Sequence, residues 1–208
     1  MNDVIKSARQ KGIFIIHSPS DVADFYKGHP ARIRAIEAKG PDSLPIGIGD
    51  WCAVGPLTRH IDYPIDQSDG GCECKDCSEY NAWSQQNPAI EIFDEDAISD
   101  SGEEVWRLLE EEKISNVLVA GVAANMCILG RPFGLRNLAK NGKNVVFIRD
   151  LTDTMYNPES YPYVDHFTGT DLVVEFIEKY ISPTVSSKFL TDNEPFRFAQ
   201  DSRGRSDN

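Results

Sequence analysis

A unit of two apolar strands with a helix between them constrains the fold of this chain most strongly. Residues 116–121 form an apolar run that ends at a glycine, and residues 145–148 form a second run. Between them a helix is predicted from about residue 125 to 141, where Gly142 ends it and Pro132 should kink or divide it. Such a unit is typical of a parallel sheet that is buried on both faces.

The rest of the chain continues this alternation. A helix is predicted at 1–11 before an apolar strand at 13–17, and further helices are predicted at 101–112 and 170–181. Short helical patterns lie at 21–26 and 31–38. The predicted fold is therefore α/β, a three-layer sandwich with a mainly parallel, Rossmann-like sheet and helices on both faces.

One domain is expected over residues 1–182. It carries an irregular insertion at about 40–88, rich in Gly, Pro, Asp and Ser. We interpret this insertion as a lid, a binding loop or a loop region with a cross-link of its own. The tail at 183–208 has no usable period and is expected to be partly disordered or to form an arm on a neighbouring subunit.

Charge and composition limit the partners. The chain of 208 residues has a net charge of −12, which repels nucleic acid and anionic membranes. No apolar run approaches the ~20 residues that span a bilayer, and no signal peptide is evident at the amino end. We expect a cytoplasmic protein with reduced cysteines that acts on a small molecule and can form a homo-oligomer.

Cys127 is the candidate catalytic residue. It follows the strand at 116–121, at the carboxyl end where open parallel sheets bind ligands. In the first turn of the next helix, the helix dipole and free N–H groups would favour a thiolate and hold an oxyanion. The alternative is that Cys127 is a small buried apolar residue, the commonest role of an intracellular cysteine.

The stretch VLVAGVAANMCILGRPFGLRNLAKNGKNVVFIRDLTDTMYN, residues 117–157, resembles the isochorismatase-like cysteine hydrolases, a family that includes nicotinamidases. The resemblance continues more weakly through the helix at 1–11 and the strand at 13–17. It implies a hydrolase that acts on a small amide, or on a related C–N or C–O substrate, through an acyl-enzyme.

In that family a Gly-Val pair ends the strand, a cis peptide bond follows, and the next helix presents the nucleophilic cysteine. The resemblance places the glycine at Gly121, the cis bond at Val122–Ala123 and the nucleophile at Cys127. It also assigns the oxyanion region to Val122, Ala123 and Ala124, although Ala124 replaces the small hydroxyl residue of the family.

Two members of the family's Asp, Lys and Cys set have no counterpart. The family Asp follows a first strand that should precede the helix at 1–11, and no lysine lies between Lys75 and Lys113, where the family Lys is expected. Glu91, Asp94 and Asp96 occupy that place. Carboxylates there would disfavour a thiolate, so a second hypothesis is a catalytically inactive family member that serves as a binding or assembly subunit.

The first strand of the family lies in the middle of the sheet, so its loss would leave two rows of backbone groups unpaired in the core. We therefore expect one of two arrangements. Either the reading frame is longer and Met1 is an internal methionine of an N-terminally truncated sequence, or another segment fills the slot.

Five further residues are pocket candidates, each with a structural alternative. His17 ends the second strand of the family pattern, and His166 precedes the helix at 170–181; both can equally be hydrogen-bonded structural imidazoles. Arg131 lies one helical turn after Cys127 and can bind an anionic substrate or pair with a carboxylate. Asp150 can approach the pocket or order the following loop, and Tyr156 can line the pocket or simply pack.

No cofactor is assigned with certainty. Cys52, Cys72, Cys74 and Cys77 could hold a structural Zn²⁺, although the CECKDC spacing is tighter than paired CxxC motifs, and unligated thiols are the alternative. The resemblance to nicotinamidases would imply a divalent metal held by an aspartate and histidines. The sequence has no Asp-x-His pair of that type, so no catalytic metal is expected.

Overall fold

The structure is a computed structural model that describes residues 1–52, 59–71 and 83–203. Its strands are β1 (Ile16–His17), β2 (Ala97–Ile98), β3 (Asn116–Val119), β4 (Asn144–Ile148) and β5 (Thr184–Val185). Its α-helices are α1 (Asn2–Gln10), α2 (Pro30–Glu37), α3 (Gly102–Glu111), α4 (Leu135–Lys140), α5 (His166–Tyr180) and α6 (Lys188–Thr191). A 3₁₀ turn at Ala23–Tyr26 and a π-helix at Ala124–Ile128 complete the described elements.

All strand pairs in the described residues are parallel, and they form two separate sheets. β1 pairs with β2, while β3, β4 and β5 pair in that order. Val117 lies opposite Val145 and Val119 opposite Phe147. The α/β class predicted from the sequence is confirmed.

Helices cover both faces of the sheets because successive side chains of a strand point to opposite faces. Phe147 of β4 packs in a cluster with α3, α4 and α5, whereas the next residue, Ile148, packs with α1 and α6. Ile13, Ile15 and Leu118 join the second cluster. The three-layer arrangement follows directly from this alternation.

Local signals place most helix ends as expected. The hydroxyl of Ser101 accepts a hydrogen bond from the N–H of Glu104 at 3.4 Å, so it caps α3. The predicted helix at 125–141 is divided at Pro132: a π-helix precedes the proline and α4 follows it. α5 begins at His166, earlier than predicted, because the Asp165 carboxylate caps it through the N–H of Thr168.

The expectation of an irregular tail from residue 183 was wrong for its first part. Thr184–Val185 forms β5 against β4, and Lys188–Thr191 forms α6. The buried Asp150 carboxylate holds this part in place: it accepts hydrogen bonds from the N–H of Ser187 at 2.6 Å and of Phe196 at 2.9 Å, and from the Ser187 hydroxyl. Asp150 therefore orders the chain that follows β5.

Two further differences concern strand lengths. β2 was not predicted, because the segment around it is rich in acidic residues and has no strand periodicity. The strand predicted at 13–17 is paired only at Ile16–His17.

Among the described helices, none has the length and apolar character of a membrane span.

Candidate functional site

Cys127 lies near the end of the π-helix that follows β3, and its side chain is half-buried. The thiol lines a cavity of about 690 Å³ that runs between β1 and β3, and it lies where the carboxyl ends of these strands border the cavity. His17, Ser18, Ser20 and Gln86 line the same end of this cavity. The cysteine therefore lies where parallel sheets place reacting groups.

A hydroxyl contacts the Cys127 thiol, and a cation lies one turn further along the chain. The hydroxyl of Ser20 donates to Cys127 Sγ at 3.9 Å, and the backbone N–H of Arg131 donates to the carbonyl of Cys127 at 3.1 Å. The Asp21 carboxylate accepts two hydrogen bonds from the Arg131 guanidinium, at 2.9 and 2.5 Å. The hydrogen bond to Asp21, aided by Cys127, raises the pKa of Arg131 above its usual value, so this group stays positive.

Aromatic side chains border this ion pair. The Arg131 guanidinium lies 5.6 Å from the Trp51 ring centroid, a cation–π geometry. A Cβ atom at Gly130 would lie 2.5 Å from Trp51, so only glycine allows the indole to lie this close. Trp83 Nε1 donates to the carbonyl of Ser20 at 3.4 Å. Two indoles thus approach the residues around Cys127.

His17 was interpreted as a pocket residue or as a hydrogen-bonded structural imidazole, and the structure shows both features. It lines the cavity, and both ring nitrogens have hydrogen-bond partners. His17 Nε2 lies 3.0 Å from Asp96 Oδ2, and Nδ1 lies 3.0 Å from Gln86 Nε2. Burial lowers the pKa of His17, so the imidazole is neutral near pH 7. Burial raises the pKa of Asp96, but hydrogen bonds from Arg9, Phe93 N–H and His17 outweigh this and hold it below the usual value.

The peptide bond Val122–Ala123 is cis, at the position expected from the sequence. The Ala124 N–H donates to the carbonyl of Asp153 at 2.8 Å. The assignment of Val122, Ala123 and Ala124 to an oxyanion region stays a prediction. The long helix that was to supply a dipole is interrupted after the π-helix. Arg131 provides a positive charge one turn after Cys127.

Tyr156, His166 and Asp150 do not lie at this cavity. The Tyr156 side chain is fully buried in the core, and its hydroxyl donates to the carbonyl of Ser160 at 3.0 Å. His166 bonds Asp153 Oδ1 at 2.8 Å and the Tyr156 carbonyl at 3.1 Å. For Tyr156 and His166 the structural interpretation matches the observed contacts, whereas Asp150 binds Ser187 and Phe196 after β5 instead of ordering the loop that follows it.

The carboxylates that occupy the place of the family lysine are bound elsewhere. Glu91 pairs with Lys6 at 3.0 Å, and Asp94 lies 4.0 Å from His29. Asp96 pairs with Arg9 of α1. The negative charges expected to oppose a thiolate thus have other partners.

Three of the four cysteines of the zinc hypothesis, Cys72, Cys74 and Cys77, lie outside the described residues. Cys52 is half-buried, and its N–H donates to the carbonyl of Gly130 at 2.7 Å. A structural zinc ion remains a prediction.

Sequence reasoning missed Ser20, Asp21 and Gln86 as site residues. Ser20 and Asp21 belong to the Ser-Pro-Ser-Asp segment directly after β1, and the carboxyl end of a parallel strand was the signal that could have identified them. Gln86 comes from the long irregular region and carries no comparable signal.

Neither the comparison with protein-family models nor the comparison with curated proteins finds a match. The fold itself defines a class: three-layer α/β proteins with a mainly parallel sheet. Within that class, the chain is similar to the crystal structure of a cysteine hydrolase from Pseudomonas syringae pv. phaseolicola 1448A.

The similarity to that cysteine hydrolase has a TM-score of 0.50 at 13% sequence identity, and it covers 91% of this chain and 76% of the other chain. Such a likeness shows the fold. The resemblance to cysteine hydrolases read from residues 117–157 is thereby supported at the level of the fold.

Proposed function

We propose that this protein is a cysteine hydrolase that acts on a small amide, or on a related C–N or C–O substrate, with Cys127 as the nucleophile. The observation that carries the proposal is the position of the Cys127 thiol, which lines the cavity after the carboxyl end of β3 and accepts a hydrogen bond from the Ser20 hydroxyl at 3.9 Å. A nearby cation favours the thiolate, which is the reactive form of cysteine.

Arg131 takes the electrostatic role for which the sequence offers no lysine. Its partner Asp21 has an exposed side chain, whereas Arg131 is largely buried. The hydrogen bond from Arg131 lowers the pKa of Asp21, so this carboxylate is ionised near pH 7 and partly offsets the cation at Cys127. The reactivity of the thiol therefore depends on the balance between these two side chains.

The proposed reaction has two steps. The Cys127 thiolate attacks the carbonyl carbon, the C–N bond breaks, and the amine leaves with a proton from solvent. Water then attacks the thioester, releases the carboxylic acid, returns one proton to solvent and restores the thiolate. Trp51 and Trp83, which lie beside this site, suit a planar substrate.

A trapped intermediate tests this proposal. The purified chain is mixed with a panel of small aromatic and aliphatic carboxamides and esters, quenched in acid, and examined by intact-mass and peptide mass spectrometry. We expect an acyl adduct on the peptide that contains Cys127, and none on Cys127→Ala. Absence of both an adduct and product release across the panel would contradict the proposal and favour a binding or assembly role.

A further inference from the structure

A second, smaller cavity borders the segment that carries Cys127. Its volume is about 380 Å³. Asn125, Met126 and Gly130 line this smaller cavity, whereas Cys127 and Ile128 line the larger one. The segment therefore borders both cavities, and the thiol belongs to the larger of the two.

The described lining of the smaller cavity carries positive charge and no negative charge. Arg136, the second residue of α4, and Arg59 both line it, and none of the described lining residues is acidic. The chain as a whole has a net charge of −12, so this local excess of positive charge runs against the overall balance. An anion is attracted to such a concave basic surface.

The Arg136 guanidinium is partly buried, and a contact with the backbone orients it. Its Nη1 donates to the carbonyl of Cys52 at 3.3 Å. Burial lowers the pKa of Arg136, with a partial offset from Tyr63 and Cys52, but the group stays charged near pH 7 because arginine is not deprotonated in proteins. A partly desolvated cation interacts more strongly with an anion than an exposed one does.

Tyr63 adds a buried donor to the wall of the smaller cavity. Its ring packs edge-on against Phe176, with the ring centroids 4.9 Å apart. The hydroxyl oxygen is buried, and no described residue forms a hydrogen bond with it. Burial raises the pKa of Tyr63, so the hydroxyl keeps its proton. A buried hydroxyl without a partner is unfavourable, and an acceptor atom of a ligand would remove this cost.

Gln67 presents its amide nitrogen, because Asn125 determines its orientation. Asn125 Oδ1 accepts from the N–H of Met155 at 2.9 Å, and its Nδ2 donates to the Met155 carbonyl at 2.8 Å. The same Nδ2 donates to Gln67 Oε1 at 3.3 Å, so the oxygen of Gln67 is used and its NH₂ group remains as a donor. The polar groups that line the cavity for a ligand are therefore donors.

The rest of the described lining is mainly apolar. Ile61, Met126 and Phe176 supply apolar surface, and Trp51 contributes its indole ring. Sites for small molecules combine such walls with a few directed polar groups. The volume of about 380 Å³ lies near the lower end of the ~300–1,000 Å³ range of these sites. A small ligand with a planar apolar body suits this space.

We propose that the smaller cavity is a binding site for a small aromatic carboxylate. The carboxylate accepts hydrogen bonds from Arg136, Arg59 and the Tyr63 hydroxyl, and the ring lies against Phe176 and Trp51. Guanidinium groups match the two oxygens of a carboxylate, and the apolar walls favour an aromatic acid over inorganic phosphate. The site is separate from the reaction proposed for Cys127 and does not depend on it.

Isothermal titration calorimetry of the full chain with benzoate tests the proposal. We expect a dissociation constant of about 1 mM or below. Benzyl alcohol keeps the ring without the charge, and inorganic phosphate keeps the charge without the ring. Both should bind at least about tenfold more weakly than benzoate, because each loses one of the two kinds of contact.

Substitutions of the two arginines test which groups hold the carboxylate. Arg136→Met should weaken benzoate binding at least about tenfold, and Arg59→Met at least about threefold, because each removes a charge-assisted hydrogen bond. Arg59 is exposed, so its substitution decides the outcome if Arg136→Met does not fold. Arg34→Met removes an exposed arginine that lines neither cavity and should change binding less than about twofold.

Tyr63→Phe separates ligand binding from a structural role. Because no described residue bonds the Tyr63 hydroxyl, its removal should leave the urea midpoint unchanged or raise it. The same substitution should weaken benzoate binding about threefold or more, because the ligand loses a donor. A lower urea midpoint with unchanged benzoate binding would contradict the role of Tyr63 in the site.

Arg131→Met shows which cavity holds the anion, because the Trp51 ring lies beside Arg131 and also lines the smaller cavity. Benzoate binding to this variant should stay within about threefold of that to the unmodified protein. Binding that is lost in Arg131→Met but kept in the two arginine variants and the tyrosine variant of the smaller cavity would place the anion at Cys127 and overturn the proposal. Benzoate binding no tighter than that of benzyl alcohol or phosphate would also overturn it.

Discussion

Cys127→Ala is expected to lower kcat/KM by at least about 10³-fold for any substrate identified in the amide and ester panel, because it removes the thiol that forms the proposed thioester. The substitution removes only the thiol of a half-buried residue, so the fold should be retained. Circular dichroism and the urea midpoint would confirm this. The large expected effect follows from loss of the covalent step itself.

Cys52→Ser is the matched control for this prediction. Cys52 is also half-buried, and its N–H is bound to Gly130 on the chain near Cys127, but its thiol has no role in the proposed reaction. Its kcat/KM should stay within about twofold of the unmodified protein, since substitutions outside a reacting group have small effects on the chemical step. A Cys127→Ala protein that keeps more than a tenth of the activity would contradict the nucleophile assignment.

Asp150→Ala is expected to destabilise the protein by about 3–5 kcal/mol, because three donors around a buried carboxylate lose their acceptor. Two of these donors are the backbone N–H groups of Ser187 and Phe196, which cannot turn to another partner without moving the chain after β5. Urea denaturation of the full chain measures the loss. The midpoint should fall while the slope changes little.

Asp150→Asn provides the graded comparison. The amide keeps one acceptor oxygen but places an NH₂ group against the remaining donors, so its cost should lie between zero and that of alanine. A loss below about 1 kcal/mol in Asp150→Ala would show that this carboxylate does not anchor the segment that contains α6.

Features encoded by neighbouring residues were predictable from the sequence. The apolar runs of β3 and β4, the glycine that ends the first of them, and the division of the helix at Pro132 all depend on local geometry. The cis bond at Val122–Ala123 was placed by the family resemblance, which preserves local order along the chain.

Features that join distant residues were not predictable. The pair of Arg131 with Asp21 spans 110 positions, and nothing in the local sequence of either residue specifies the other. The segment around β5 looked irregular because its order depends on β4 and on Asp150.

The rate of Cys127 alkylation measures most directly how the charges of Arg131 and Asp21 act on the Cys127 thiol. Iodoacetamide reacts with the thiolate, so the rate at pH 6.5 measures how strongly the site favours that form. Peptide mass spectrometry separates Cys127 from Cys52, which serves as the reference in each sample. Two variants change the local charge in opposite directions.

Asp21→Asn removes the negative charge, and asparagine suits the left-handed backbone at this position, where φ is 63°. We expect it to accelerate Cys127 alkylation about three- to tenfold, and Arg131→Met to slow it by a similar factor, since each removes one charge close to the thiol. The rate at Cys52 should not change. Equal Cys127 rates in the unmodified protein and both variants would contradict the claim that Arg131 activates this cysteine.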